Sequence, residues 1–268
     1  MASAGQSWLK FLGTAGARFV MLKQLRASGG LWAKIGQTHL LIDPGPGTLV
    51  RALSSRPALD ASQLAAILLT HRHLDHANDV NVMIEAMTEG GFKRRGQLFA
   101  PREALEDDPV VLRYSRQFVQ QIQVLEEGGD YSVGDLKVRT PLRHVHGAET
   151  YGLVLEAPGT PKVALIVDTR FFDALLEAYA GADVLVIHTV RYDRGDTTPE
   201  EILHLNVVDA ERLIRHIRPK LAVLTHFGMT MVRAKPWVVA EELSQRTGLR
   251  VVAASDGMRL DLDSLSAT

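Results

Sequence analysis

The 268-residue chain contains no cysteine, which excludes disulfides, thiolate zinc sites, iron–sulfur clusters and cysteine nucleophiles. Any metal it binds must use His, Asp, Glu or backbone oxygen. It also has no excess of one charge. Thirty Lys and Arg face 31 Asp and Glu, a formal net charge of −1, so no global field favours nucleic acid or an anionic membrane. Long apolar runs are missing too: the stretches Leu64–Leu69 and Val184–Ile187 fall far short of a membrane span. Met1–Lys10 lacks the apolar segment of a signal peptide, so a cytoplasmic protein is expected. There is no Gly-x-Ser-x-Gly elbow to mark a Ser-His-Asp hydrolase. Gly13-Thr14-Ala15-Gly16 does not have the spacing of a dinucleotide loop. No repeat, linker or low-complexity tract divides the chain, and one domain over residues 1–268 is expected.

What is present is a mixed α/β pattern. Short apolar runs bounded by turn residues read as strands at Trp8–Leu12, Leu31–Ile35, His39–Ile42, Ala65–Leu69, Gln97–Ala100, Ile122–Leu125 and Leu136–Thr140. Further strands are read at Tyr151–Glu156, Lys162–Val167, Val184–His188, Leu221–Thr225, Val251–Ala253 and Met258–Leu262. Val80, Met83, Ile84 and Met87 follow helical spacing after Asn78 as N-cap, and Gly90-Gly91 stops them. Asn206 opens a second helix with Ala210, Leu213, Ile214 and Ile217 on one face, ended by Pro219. Phe171–Ala180 and Pro236–Thr247 complete the helical set. The charged stretch Gly91–Glu106 reads as a solvated surface excursion.

Chemistry concentrates in Thr70-His71-Arg72-His73-Leu74-Asp75-His76, directly after a buried-looking strand and before an amphipathic helix. Residues two apart on an extended segment face the same way, so His71 and His73 can grip one ion together. The turn into the helix brings Asp75 and His76 to a neighbouring position, an arrangement that suits two metals. One buried histidine is usually structural; this density is not. Other apolar strands end in a metal-ligand type: His144 and His146 follow Leu136–Thr140, Asp168 ends Val163–Val167, and His226 ends Leu221–Thr225. Asp168 alone reads equally as a helix cap. Asp43 reads as a carboxylate that orients a metal-binding histidine, as an Asx-turn before Pro44, or as both. His39 and His216 have only polar neighbours and default to surface or satisfied positions.

Taken in chain order, Asp43, the His71-to-His76 motif, His146, Asp168 and His226 resemble the metallo-β-lactamase fold superfamily of metal-dependent hydrolases over nearly the whole chain. The resemblance implies a four-layer αββα sandwich of two mixed sheets. It implies a first metal held by His71, His73 and His146, a second by Asp75, His76 and His226, and Asp168 as the bridging carboxylate. His146 is preferred to His144 because His146–Gly152 is similar to the family segment that places a ligand before an aromatic-Gly strand start.

Phe11–Gly16, Leu41–Thr48 and His204-Leu205-Asn206 are similar to ribonuclease Z and its cyclic-phosphate phosphodiesterase relatives. That branch supplies a histidine that contacts the scissile phosphate, and His204 is the matching candidate for phosphate contact or general acid. The alternative is an ordinary loop histidine. Two departures stand out. The supporting Glu of a His-Glu-Ala-Thr segment is absent from Ile187-His188-Thr189-Val190, which leaves His188 as a site or a core residue. The short stretch Glu156–Lys162 leaves no room for a tRNA-gripping arm, so tRNA is disfavoured.

The expected function is therefore hydrolysis of a phosphodiester, such as a cyclic phosphate or nucleotide, at a dinuclear zinc centre, with manganese or iron as alternatives. A water between the ions is activated to hydroxide, with Asp75 orienting it. Thioester, lactone or amide hydrolysis on the same ligands is the second reading. A non-catalytic metal- or partner-binding protein is the third, which the full ligand set disfavours. The substrate-binding loops are expected at Met87–Pro109 and Tyr192–His204. The family resemblance also admits a homodimer.

Overall fold

Alternation along the strands decides which layer each side chain joins. In the computed structural model, which describes residues 6–193 and 203–265, strand β1 (Trp8–Phe11) turns Leu9 and Phe11 to one apolar layer and Trp8 to another. The chain continues through β2 (Leu31–Ile35), β3 (Thr38–Ile42), β4 (Leu64–Leu68), β5 (Gln97–Pro101), β6 (Gln121–Leu125), β7 (Gly129–Val133) and β8 (Leu136–Thr140). There follow β9 (Arg143–His144), β10 (Thr150–Tyr151), β11 (Leu153–Glu156), β12 (Val163–Ile166), β13 (Val184–His188), β14 (Leu221–Thr225), β15 (Val251–Ala253) and β16 (Arg259–Asp261). The α-helices are α1 (Ala17–Leu22), α2 (Thr48–Ser54), α3 (Leu74–Ala77), α4 (Val80–Met87), α5 (Ala174–Ala178), α6 (Val207–Ile217), α7 (Met229–Arg233) and α8 (Pro236–Thr247). No helix among the described residues is long and apolar enough to cross a membrane.

Two seven-stranded sheets result, in the orders β16-β1-β2-β3-β4-β5-β6 and β15-β14-β13-β12-β11-β8-β7. Each is mixed. β3 to β6 pair in parallel, as do β12 to β15, while the other ends of both sheets are antiparallel. Leu9, Phe11, Leu68, Val138, Leu153, Leu165, Val186 and Val223 fill the space between the sheets. Leu213, Ile214, Val239 and Leu243 seat α6 and α8 on the outer face of the second sheet. Ala52, Val80, Met83, Ile84 and Met87 seat α2 and α4 on the outer face of the first. Each such side chain contributes about 1.5–3 kcal/mol when fully buried. This is the expected αββα sandwich.

The capping chemistry explains the two long helices. Asn206 accepts from the Val208 and Asp209 amides, and Asp209 reaches back to the Asn206 amide, a complete capping box. Pro236 starts α8 and Gly248 ends it in the left-handed region. Several expectations shift. Asp79, not Asn78, stands before α4, because the preceding residues form α3, whose C-cap is Asn78. The helix expected over Phe171–Ala180 contracts to α5. The strand expected over Tyr151–Glu156 breaks at Gly152, where a Cβ would lie 2.0 Å from the Tyr179 hydroxyl. The stretch expected to be a solvated excursion holds β5 and the buried Ala104 and Leu105.

Candidate metal centre

Asp43, His71, Asp168, His188 and His226 lie at or just beyond the C-terminal ends of β3, β4, β12, β13 and β14. These strands pair in parallel, and ligands gather beyond the carboxyl ends of parallel strands because the connecting loops converge there. His73 is the extended residue before α3, which carries Asp75 and His76 into the same space. His146 comes from the turn between β9 and β10, and His204 from the segment before α6. All the residues expected at the site are thus brought together.

Asp168 sits at the centre of the cluster. Its Oδ2 is 3.5 Å from His76 Nε2, 3.7 Å from His204 Nδ1, 3.8 Å from His146 Nε2 and 3.9 Å from His71 Nε2. Its Oδ1 is 3.3 Å from His226 Nε2 and 3.0 Å from His188 Nδ1. Asp75 Oδ2 lies 3.7 Å from His76 Nε2 and 3.6 Å from His226 Nε2, and His146 Nε2 lies 3.1 Å from His73 Nδ1. Ligands around a tetrahedral ion at about 2.0–2.1 Å stand about 3.3 Å apart, so these separations are those of ligand edges. His71, His73 and His146 make one compact group; His76, Asp168, His188 and His226 make a second beside it.

Hydrogen bonding fixes which nitrogens carry lone pairs. Asp43 Oδ1 accepts from the Thr70 amide at 2.7 Å, and its Oδ2 accepts from Thr70 Oγ1 at 2.7 Å and His76 Nδ1 at 2.9 Å. Thr70 has given its one hydroxyl proton to Asp43, so it can only accept from His71 Nδ1, 3.1 Å away. His146 Nδ1 donates to the Leu203 carbonyl at 3.0 Å. His71 and His146 therefore point an unprotonated Nε2 at Asp168, and His76, whose Nδ1 is tied to Asp43, has Nε2 as the nitrogen that faces it. The Nε2 atoms of His71, His76 and His226 are buried with no hydrogen-bond partner among the described residues. Buried nitrogens left bare around a carboxylate are costly without an occupant, and a divalent ion fits this donor set.

The electrostatics agree. Burial opposes ionisation of Asp168, but His226 and His204 beside it hold its carboxyl well below the usual carboxylate range. Burial and the charge of His76 push His71 well below the ordinary imidazole value. At His76 burial works the other way from the net result: Asp75 and Asp43 raise it well above that value. The acidic side of the site thus demands positive charge, which a proton or a metal ion can supply. Burial lowers His188 and His204 to about 4, which leaves both neutral at pH 7.

Two of the site residues hold left-handed backbone, Asp43 at φ 52° and His226 at φ 59°, strain of the kind that marks functional sites. Gly45 lets the Asp43 loop pass Asp75, since a Cβ there would lie 2.0 Å from the Asp75 carbonyl. His188, left between site and core by the sequence, belongs to the site: it donates to Asp168 and stacks on His226 with ring centres 4.4 Å apart. His144 does not join the cluster; its Nε2 meets the buried Tyr179 hydroxyl at 2.7 Å. His39 meets Trp32 Nε1 and His216 meets Glu177, as satisfied residues.

A cleft of about 680 Å³ opens over the centre. Its walls are Arg18, Met21 and Leu22 of α1, Leu74, Leu203 and His204. Arg18 was not singled out in the sequence, where α1 carries no cap residue to announce it. The expected loop at Met87–Pro109 lines no part of this cleft, because β5 draws it into the first sheet. Of the other expected loop, residues 194–202 lie outside the described residues.

This architecture and donor set define a metal-dependent hydrolase fold, and sequence comparison agrees. The profile of the beta-lactamase superfamily domain matches residues 38–227, and the chain belongs to the metallo-β-lactamase superfamily. An uncharacterized protein of Methanocaldococcus jannaschii is 28% identical over 260 residues, 94% of either chain. The ribonuclease Z of Methanopyrus kandleri is 29% identical over 153 residues, 57% of this chain and 51% of that one. Among solved structures, the metallo-β-lactamase fold protein YhfI of Bacillus subtilis superposes with a TM-score of 0.76 at 18% identity, covering 95% of this chain and 98% of that one. A diphosphatase from the PhnP family superposes at 0.69 with 20% identity, covering 96% and 97%.

Proposed function

We propose that the protein is a phosphodiesterase that uses two divalent ions, zinc foremost. His71, His73 and His146 would hold the first ion, Asp75, His76 and His226 the second, with Asp168 shared between them. Such a pair supplies Lewis acidity and brings the pKa of water down towards neutrality. The carrying observation is the cleft: Arg18 and the neutral His204 flank the centre, where negative charge would build on a phosphoryl group. His204 offers an N–H to a non-bridging oxygen, and Arg18 a guanidinium suited to phosphate. Asp75 is placed to accept a proton from the attacking water and to orient it. His188 holds Asp168 by its Nδ1–H and so keeps the shared carboxylate in one rotamer. Met21, Leu22, Leu74 and Leu203 give the cleft apolar walls for the organic part of a small substrate. The relationship to ribonuclease Z and the likeness to a PhnP-family diphosphatase support a phosphoester. The connection between β11 and β12 spans only residues 157–162, which supports a small substrate over tRNA.

The test is hydrolysis of bis(p-nitrophenyl) phosphate by the full chain loaded with zinc or manganese, beside Asp75→Asn and His204→Ala. Turnover abolished by Asp75→Asn and cut at least tenfold by His204→Ala is expected. No turnover by protein that holds two ions would overturn the phosphodiester reading and direct work to thioesters, lactones and amides.

A further inference from the structure

We infer that the crevice between β1 and the C-terminal end of α2, on the outer face of the first sheet, binds a phosphate dianion of a small molecule. Lys10 carries the inference. It follows Trp8 by two residues on β1 and precedes Leu12 by two, and both of those belong to the apolar layer under the helices. Packing alone would favour another apolar residue there. Lys10 is instead 9% exposed, and among the described residues its ammonium has no hydrogen-bond or ion-pair partner. Its stem is packed among apolar neighbours while its ammonium, on the crevice, has no counter-charge, a position that an anion in the crevice completes.

The surroundings fit that anion. The crevice has a volume of about 240 Å³ and is lined by Lys10, Leu12, Arg51, Ser54, Ser55 and Arg56, with no carboxylate among its lining residues. That is several times the roughly 30 Å³ share of one water, enough for an oxyanion with part of its hydration. Arg51 is held in place by its Nε bond to the Leu12 carbonyl at 3.0 Å and has no acidic partner among the described residues. Arg56, exposed at the rim, has no partner among the described residues. Arg259, opposite Lys10 on β16, stacks 4.9 Å over the Trp8 ring and adds a further cation to this face. One ammonium and two guanidiniums facing a concave, acid-free space is the chemistry that recognises a dianionic phosphate. The metal centre contributes no residue to this crevice, so the site is separate from the reaction.

Isothermal titration of inorganic phosphate into the full, metal-loaded chain tests the inference through the difference between wild type and variants. Arg56 is exposed, so Arg56→Gln leaves the fold unchanged; Lys10→Met keeps the packed apolar stem and removes the charge. Each variant should weaken one phosphate-binding event at least tenfold while hydrolysis of bis(p-nitrophenyl) phosphate is unchanged. A dT10 oligonucleotide in place of phosphate separates the two sources of the chemistry. Isotherms identical in wild type and Arg56→Gln would overturn the inference. Arg56-dependent binding of dT10 with no Arg56-dependent binding of phosphate would overturn it too, and give the crevice to a polymer backbone.

Discussion

Asp43→Asn is the most informative single change, because one carboxylate sets the proton positions of two histidines. Asparagine tolerates the left-handed φ of 52° that position 43 requires, so the backbone is retained. The amide carbonyl can still accept from the Thr70 amide, as Oδ1 does now at 2.7 Å. Its NH2 group then faces Thr70 Oγ1 and His76 Nδ1, where Oδ2 now accepts two bonds at 2.7 and 2.9 Å. Two donors meet two donors. Relief comes if His76 gives up its Nδ1 proton, accepts there and keeps the proton on Nε2, which leaves an N–H where the second ion's ligand lone pair belongs. Each lost charge-assisted bond is worth about 1.5–3 kcal/mol. The Nε2–H keeps its contact with Asp168, 3.5 Å away, so the loss is confined to the Asp43 bonds and about 2 kcal/mol of stability is expected to go. Metal affinity suffers more: changing the partner of a metal-binding histidine costs about 10–100-fold. Metal content after dialysis against graded chelator measures the second loss, and urea unfolding of metal-free protein the first. Two ions bound with wild-type affinity in Asp43→Asn would refute the tautomer reasoning.

Three further outcomes follow from the same geometry. Tyr179→Phe removes the hydroxyl that meets buried His144 and should cost about 1–3 kcal/mol in urea unfolding with metal content unchanged, whereas lost metal would make His144 part of the centre. His188→Ala frees Asp168 Oδ1 and should lower metal affinity about tenfold, with His188→Asn recovering part of it through its own N–H; chelator titration of both variants decides. Stripping the ions with a chelator should lower stability by about 2.7 kcal/mol for each ion relative to protein held at a hundredfold excess over the Kd, read as a metal-dependent Tm. An unchanged Tm would mean that the bare imidazoles around Asp168 have no occupant to lose.

The layers were legible because apolar period and turn chemistry both point to them. Leu213, Ile214 and Ile217 on a capped helix, or Val163–Val167 before Asp168, leave few alternatives. Short elements were not. α1 has no side-chain cap and no acidic residue in its first turn, and β7 reads Gly-Asp-Tyr-Ser-Val, with one fully buried side chain. Their stability comes from packing that a single sequence does not display. Convergence of strand ends was legible for the same reason the strands were, since a polar ligand type directly after an apolar run is conspicuous. His188 was ambiguous because it occupies the last position of its strand, where parity alone does not say whether a side chain enters the site. The inward turn depends on Asp168 and His226 being in place beside it. Arg18 carried no local signal, and Lys10 only that of a charge at an apolar parity on β1. Their significance lies in what surrounds them in space, a cleft over a metal centre and an acid-free crevice.

Charge arithmetic links the centre to the class of substrate. Three carboxylates, Asp43, Asp75 and Asp168, lie within hydrogen-bonding or ion-pair reach of its imidazoles. His71, His188 and His204 are held below the ordinary imidazole range, so they do not offset that charge at neutral pH. The rise at His76 is the apo protein's partial answer, one proton against three acids. Two divalent ions in its place would turn the sum from minus three to plus one, with Arg18 outside as a further cation. A phosphodiester monoanion would offset that excess on binding, and Arg18 would face the charge that builds on its non-bridging oxygens. A neutral lactone or amide gains nothing from that excess in the ground state. Competitive inhibition by simple oxyanions, stronger than inhibition by neutral carbonyl compounds of the same size, is therefore the expected behaviour of the loaded site.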